Sequence, residues 1–249
     1  MSVHTIILAA GHGSRMKSKK AKVLQQIGGT SMLEKICYTA GAVSSDITLV
    51  VGFDKESVLE EAGNYNLNIT SSLQPKPIGT GDAVRCGLDK VKDHSKVLVL
   101  YGDVPLIRKE TLQNLIESSD SGLSILTTVL DKPFGYGRVK TNDNNEALEI
   151  VEEKDATDEE RQIQEIFTGV LCGSKALIEE GLSKITNNNA AGEFYLTDLV
   201  SIINEKGIRI NTYKASNDEV KGANSKQELE QLETTYRAMK AEDLFEKGI

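Results

Sequence analysis

The chain has 249 residues, 39% of them hydrophobic, enough for one full core with at most a small appendage. Its formal charge of −8 argues against a general nucleic-acid binder, which needs a net basic surface. The N-terminus lacks a charged-then-apolar leader, and no apolar run approaches the ~18–20 residues that span a bilayer; a cytoplasmic protein without nucleic-acid or membrane partners is expected.

Thr5-Ile6-Ile7-Leu8 reads as a short buried strand, stopped by Ala9, Ala10 and glycines. Gly11 and Gly13 leave main-chain N–H groups uncovered, so an anion can approach the backbone closely. Arg15 adds a planar fork of donors suited to phosphate, and Lys22 a mobile point charge. Strand, bare backbone and two cations describe a triphosphate-binding loop, whereas Gly-x-Gly alone describes only a tight turn. The dinucleotide pattern G-x-G-x-x-G fails at Met16, and no Gly-Lys-Ser/Thr follows at the P-loop spacing.

Ser31-x-x-Glu34 is a capping box that opens a helix through Ile36, Cys37 and Ala40. A buried strand at 47–51 ends at Gly52; a helix at 56–62, a short strand at 67–69 and a helix at 82–91 follow. The most strand-like run, 96–101, stops at Gly102-Asp103. Repeated strand–helix units predict an α/β, Rossmann-like, mostly parallel sheet with helices on both faces, which binds ligands at the carboxyl ends of its strands. Both the glycine loop and Asp103 fall at such ends.

Residues 123–129, 137–140, 147–152 and 166–172 read as strands of a small antiparallel extension, with helices at 175–182 and 195–203 and a polar loop at 184–192. Ser225-x-x-Glu228 starts a last helix with an apolar stripe of Leu229, Leu232, Tyr236 and Met239. That stripe is expected to be exposed, as a face for a missing domain or for self-association. The hexapeptide repeat of a parallel β-helix is absent.

Asp103, just before Val104-Pro105, is either a turn cap or a carboxylate for Mg²⁺, which keeps several waters and takes one or two protein oxygens. Gln74, with Gly79-Thr80-Gly81, is either a polar loop or a reader of uracil, since its amide offers a paired donor and acceptor to the imide edge. Asn224 reads locally as a helix cap. Cys37, Cys86 and Cys172 are scattered and read as reduced thiols packed as small hydrophobes. His4, His12 and His94 have no metal-ligand spacing, which argues against zinc.

Leu8-Ala9-Ala10-Gly11-x-Gly13-Ser14-Arg15-Met16 followed by Lys22-Val23-Leu24 resembles the signature of the sugar-phosphate nucleotidyltransferases. Lys154-Asp155-Ala156-Thr157-Asp158-Glu159, Thr186-Asn187-Asn188-Asn189 and Gly192-Glu193-Phe194-Tyr195-Leu196-Thr197-Asp198 narrow the likeness to the N-acetylglucosamine-1-phosphate uridylyltransferase domains of bacterial bifunctional enzymes. The resemblance implies Mg²⁺-dependent conversion of UTP and N-acetylglucosamine 1-phosphate to UDP-N-acetylglucosamine and pyrophosphate. A different sugar phosphate, or an inactive binding module of this fold, are the alternatives. It implies that Leu8, Ala9, Ala10 and Gly11 contact the nucleotide, that Arg15 and Lys22 meet phosphates, and that Gln74, Gly79 and Thr80 read uracil. Tyr101, Gly102 and Asp103 then face the metal and sugar phosphate, with Asn224 as second metal ligand. Gly137, Glu152 and Thr197 face the sugar. Residues 1–223 would form the transferase domain and 224–249 a linker helix, monomeric unless that helix self-associates.

Three positions depart from the family pattern. Ala21 replaces a proline before Lys22, which implies a looser loop. Asp82 replaces a more common histidine, and an acid there suits the helix dipole. Phe167 replaces an asparagine that hydrogen-bonds the sugar, a loss worth roughly tenfold in binding unless Phe167 stacks on the sugar or selects another one.

Overall fold

The computed structural model describes residues 2–248; Met1 and Ile249, the outer bounds of the two expected domains, lie outside them. In chain order the elements are β1 (Val3–Ala9), β2 (Gln26–Ile27), β3 (Thr30–Ser31), α1 (Met32–Gly41), β4 (Asp46–Val51), α2 (Lys55–Ala62), β5 (Ile69–Leu73) and α3 (Thr80–Leu88). Then come β6 (Lys96–Tyr101), α4 (Lys109–Ser118), β7 (Leu123–Val129), β8 (Arg138–Thr141), β9 (Ala147–Val151), β10 (Glu165–Ser174), α5 (Lys175–Leu182), α6 (Asp198–Asn204), β11 (Ile210–Lys214) and α7 (Lys226–Phe245).

The main sheet runs β11-β7-β10-β6-β1-β4-β5, with β8 and β9 branching from β10. β1 lies parallel to both β4 and β6, while β10 runs antiparallel between β6 and β7. Side chains alternate across the sheet as the pleat requires. Ile6, Leu8, Val97 and Val99 pack with α3, α5 and α6 on one face. Ile7, Ala9, Leu98 and Leu100 pack with α1, α2 and α4 on the other. This is the mixed, mostly parallel α/β architecture expected. Its strand order reverses direction at β1, and open α/β sheets bind ligands at such a switch point. Leu8 pairs in register with Tyr101, so the loops after β1 and β6 leave the sheet side by side.

Several boundaries differ from the sequence reading. β5 starts later and runs to Leu73, because its backbone bonds to β4 rather than to local apolar pattern. α3 starts at Thr80 and ends at Leu88, and α6 begins only at Asp198, after a turn in which Asp198 N donates to Tyr195 O. α4 and β11 do not stand out in the sequence; β11 is Ile-Asn-Thr-Tyr-Lys and owes its extended form to parallel pairing with β7.

The two capped helices begin where their caps place them. Ser31 accepts from Glu34 N at the start of α1, and Ser225 from Glu228 N at the start of α7. The stripe on α7 is not exposed as expected. Leu232 is buried, and Leu229, Tyr236 and Met239 pack with it against Met16, Ile27, Met32 and Leu106. Glu233 accepts from Gly28 N at 2.6 Å in the β2–β3 turn, and the Lys35 ammonium sits 4.1 Å from the Tyr236 ring centroid. The body of the chain covers its own stripe.

Candidate active site

Two cavities lie at the carboxyl ends of β1 and β6. The first, about 380 Å³, is walled by Leu8, Ala9, Ala10 and Gly11 on one side and by Gln74, Pro77, Gly79 and Thr80 on the other. The second, about 220 Å³, is walled by Gly137, Glu152, Phe167 and Thr197 among others. Thr80, Tyr101, Asp103 and Asn224 belong to both, so the cavities meet there.

At that junction the Lys22 ammonium donates to Asp103 Oδ2 and, at 2.9 Å, to Asn224 Oδ1. Lys22 belongs to a single turn after the glycine loop, Asp103 follows β6, and Asn224 precedes α7. One carboxylate and one amide oxygen therefore converge on a cation. These are oxygens of the kind magnesium takes, and the ammonium shows that a positive charge is accommodated between them. Among the described residues no group of three or more His, Cys, Asp or Glu side chains could hold a metal, so a bound Mg²⁺ would draw the rest of its shell from water and substrate.

The loop carrying Lys22 is braced from two sides. Gly13 lies against the Lys22 stem. Ala21 N donates to Asp54 Oδ2 at 3.0 Å, a bond the family's proline would lack, so the loop is tied where a looser one was expected. Phe53 N donates to Ala10 O at 3.3 Å and its ring lies 4.1 Å from that of His12, so the end of β4 supports the glycine loop as well. Nothing local in the sequence points to Asp54, 33 residues away from its partner.

Gln74 is only 7% exposed, and its Nε2 donates to Gly79 O at 3.0 Å and to Asp82 Oδ2 at 2.9 Å. Both amide protons are thus spent on the protein, and only Oε1 is left for a base, where a paired donor and acceptor was expected. The wall beside it needs Gly79: at φ +126° an added Cβ would lie 2.4 Å from Phe194 O. Phe194 N donates to Ile78 O and Phe194 O accepts from Gly81 N, each at 2.8 Å, which closes this wall.

In the second cavity Thr197 Oγ1 donates to Glu152 Oε1 at 3.0 Å. Burial pushes the Glu152 carboxyl above the ordinary glutamate range; that hydrogen bond opposes the shift, and Asp198, Asp155 and Glu193 add to it. Burial likewise raises the Tyr101 phenol, which stays a protonated donor at neutral pH. Gly169, at φ +90°, lets the β10 bulge lie against the Tyr101 ring; a Cβ there would sit 2.5 Å from it. Phe167 is 6% exposed and packed in the core, so it gives the cavity a narrow apolar wall instead of a broad stacking face. The turn carrying Gly135, Tyr136 and Gly137 is held by buried Arg138, which donates to Tyr136 O and, at 2.7 Å, to Glu153.

Not every expected residue reaches these cavities. Gly102 lines neither; its N–H donates to Leu8 O at 3.0 Å and it brings the ends of β1 and β6 together. Arg15 is exposed and lines a neighbouring cleft with Tyr136, Gly222, Asn224 and Glu228. That cleft shares Asn224 with the two cavities, but Arg15 lines neither of them.

The family model of the MobA-like NTP transferase domain matches residues 5–179. The chain belongs to this family. As an NTP transferase domain it is 43% identical to the bifunctional protein GlmU of Methylococcus capsulatus over 252 residues, 100% of this chain and 54% of that one. It is 41% identical to the GlmU of a Psychrobacter species over 247 residues, 98% of this chain and 54% of that one. The NTP transferase chain thus spans about half the length of these relatives. Its fold is similar to that of a UDP-glucose pyrophosphorylase complexed with UDP-glucose, with a TM-score of 0.77 at 17% identity, covering 96% of this chain and 100% of that one. No helix of the described residues is long and apolar enough to cross a membrane.

Proposed function

We propose that this chain is a uridylyltransferase that joins UTP to N-acetylglucosamine 1-phosphate and releases pyrophosphate, with residues 1–223 as the catalytic unit and 224–249 as a linker helix. The observation that carries it is the meeting of Lys22, Asp103 and Asn224 where two cavities join. The first cavity takes the nucleotide, the second the sugar, and the phosphates lie between.

A sugar-phosphate oxygen attacks the α-phosphorus in line and pyrophosphate leaves. No covalent nucleophile on the protein is needed, because the substrate supplies one, so catalysis is positioning and charge neutralisation. Gln74 and Gly79 hold the base, and the Gly11 backbone takes phosphate oxygens. Lys22 steadies charge near the α-phosphate. Arg15, exposed in the neighbouring cleft, is assigned to the departing β,γ-phosphates. Glu152 and Thr197 orient a sugar hydroxyl, and Gly137 offers main chain beside them. Asp103 and Asn224 would hold Mg²⁺, which supplies charge neutralisation on the phosphate oxygens when bound. The net charge of −8 is compatible with a polyanionic substrate because Lys22, Arg15 and a bound Mg²⁺ would supply positive charge locally.

The test is pyrophosphate release from UTP with Mg²⁺ across a panel of sugar 1-phosphates. N-acetylglucosamine 1-phosphate should be preferred, with UDP-N-acetylglucosamine as product. Failure to release pyrophosphate with any sugar phosphate would leave a binding module. The apolar wall of Phe167 favours one second reading, a sugar lacking a polar group at that position, and the same panel separates the two.

A further inference from the structure

We propose that Asp82 is a positioning residue for base selection, locking the Gln74 amide so that only its carbonyl oxygen faces the nucleobase. This rests on the uridylyltransferase reading and names what enforces its base preference. A free glutamine amide is a poor discriminator, because a half-turn exchanges its donor and its acceptor. Here the half-turn is blocked. One Nε2 proton goes to the Gly79 carbonyl and the other to the Asp82 carboxylate, neither of which can donate. Reversing the amide would set Oε1 against both oxygens at once.

Oε1 takes no hydrogen bond among the described residues, yet it is not one of the sealed orphan atoms, which are Thr5 Oγ1 and Arg138 Nε. It therefore keeps access to the cavity that Gln74 lines. An acceptor fixed there pairs with the N3–H of an imide base such as uracil. Cytosine presents a lone pair at N3, so two acceptors would face each other.

Asp82 is itself held. Arg85 Nη1 lies 3.9 Å from Asp82 Oδ1, while Arg85 Nη2 donates to Leu182 O at 2.7 Å and the guanidinium lies 5.3 Å from the Phe194 ring centroid. Arg85 adds a loose ion pair to Asp82, and Asp82 a hydrogen bond to Gln74; a carboxylate is the member that leaves no ambiguity. An asparagine at 82 could donate as well as accept.

The test compares UTP with CTP, at fixed N-acetylglucosamine 1-phosphate, in wild type, Asp82→Ala and Asp82→Asn. The wild type should prefer UTP in kcat/KM. Asp82→Ala should reduce that preference by roughly tenfold, the worth of one hydrogen bond, through the nucleotide KM with the sugar-phosphate KM unmoved. Asp82→Asn should fall between. A UTP-to-CTP ratio that both variants keep overturns the inference, however far total turnover drops. Calorimetric binding of UTP and CTP runs alongside. A wild type that binds UTP over CTP but releases no pyrophosphate sinks the transferase reading and not this one, whereas equal binding of the two overturns this one.

Discussion

Ala21 N donates to Asp54 Oδ2 over 3.0 Å, and this bond sets the approach of the adjacent Lys22 to the junction of the two cavities. Ala21 has φ −51° and ψ 143°, values a proline can adopt, and is 1% exposed. Chain stiffness and a hydrogen bond are alternative ways to hold one backbone position. Asp54 lies at φ +54°, so Asp54→Gly removes the acceptor without adding backbone strain. It should leave a buried N–H unpaired, destabilise the loop by about 1–3 kcal/mol and lower kcat/KM for UTP. Adding Ala21→Pro, which has no N–H to satisfy, should restore most of the loss. A double variant no better than the single one would show that Asp54 acts otherwise.

If Asp103 and Asn224 hold the proposed Mg²⁺, Lys22 and the ion compete for the same two oxygens. Lys22→Met should lower kcat/KM by roughly 10²–10³-fold, the usual penalty for removing one electrostatic stabiliser. It should also enlarge the upward shift in Tm that MgCl₂ alone produces, because the oxygens are no longer occupied by the ammonium. Thermal scans with and without Mg²⁺, in wild type and variant, check this. An identical shift in both proteins places the ion elsewhere.

The raised carboxyl of Glu152 has a definite sign in stability. Between the unfolded value of about 4.3 and its raised folded value, the native state holds more protons than the unfolded chain. Its contribution is therefore full below the unfolded pKa and is lost as pH rises through the folded one. Glu152→Gln should raise Tm at neutral pH and leave it unchanged near pH 4. The same substitution should raise KM for the sugar phosphate without moving that for UTP. A Tm gain equal at all pH values would contradict the assignment.

Leu232 anchors α7 on Met16, Ile27, Met32 and Leu106. Leu232→Ala should cost about 2–5 kcal/mol if that docking is part of the fold, read as a lower Tm and faster proteolysis within 226–245. A variant with unaltered Tm and an altered sedimentation coefficient would instead assign the stripe to a partner.

The local code of this chain is strong where the physics is local. Continuous apolar runs placed β1, β4 and β6, whose two faces both needed cover, and Ser31 with Glu34 and Ser225 with Glu228 fixed the starts of α1 and α7 through bonds three residues long. The glycine loop and Asp103 could be picked out as candidate site elements because open α/β sheets bind ligands at those strand ends. What no local pattern specifies is which distant groups share a hydrogen bond. Lys22 reaches Asp103 across 81 positions and Asn224 across 202. Asp54 replaces a proline's stiffness from a turn after β4, and the commitment of both Gln74 protons emerges only once Gly79 and Asp82 are folded around it. The apolar stripe of α7 reads the same whether its cover is a partner or its own domain. Packing against the body of the chain decided that, as β-sheet pairing decided β11, because burial and long-range bonding are properties of the assembled fold and not of a segment.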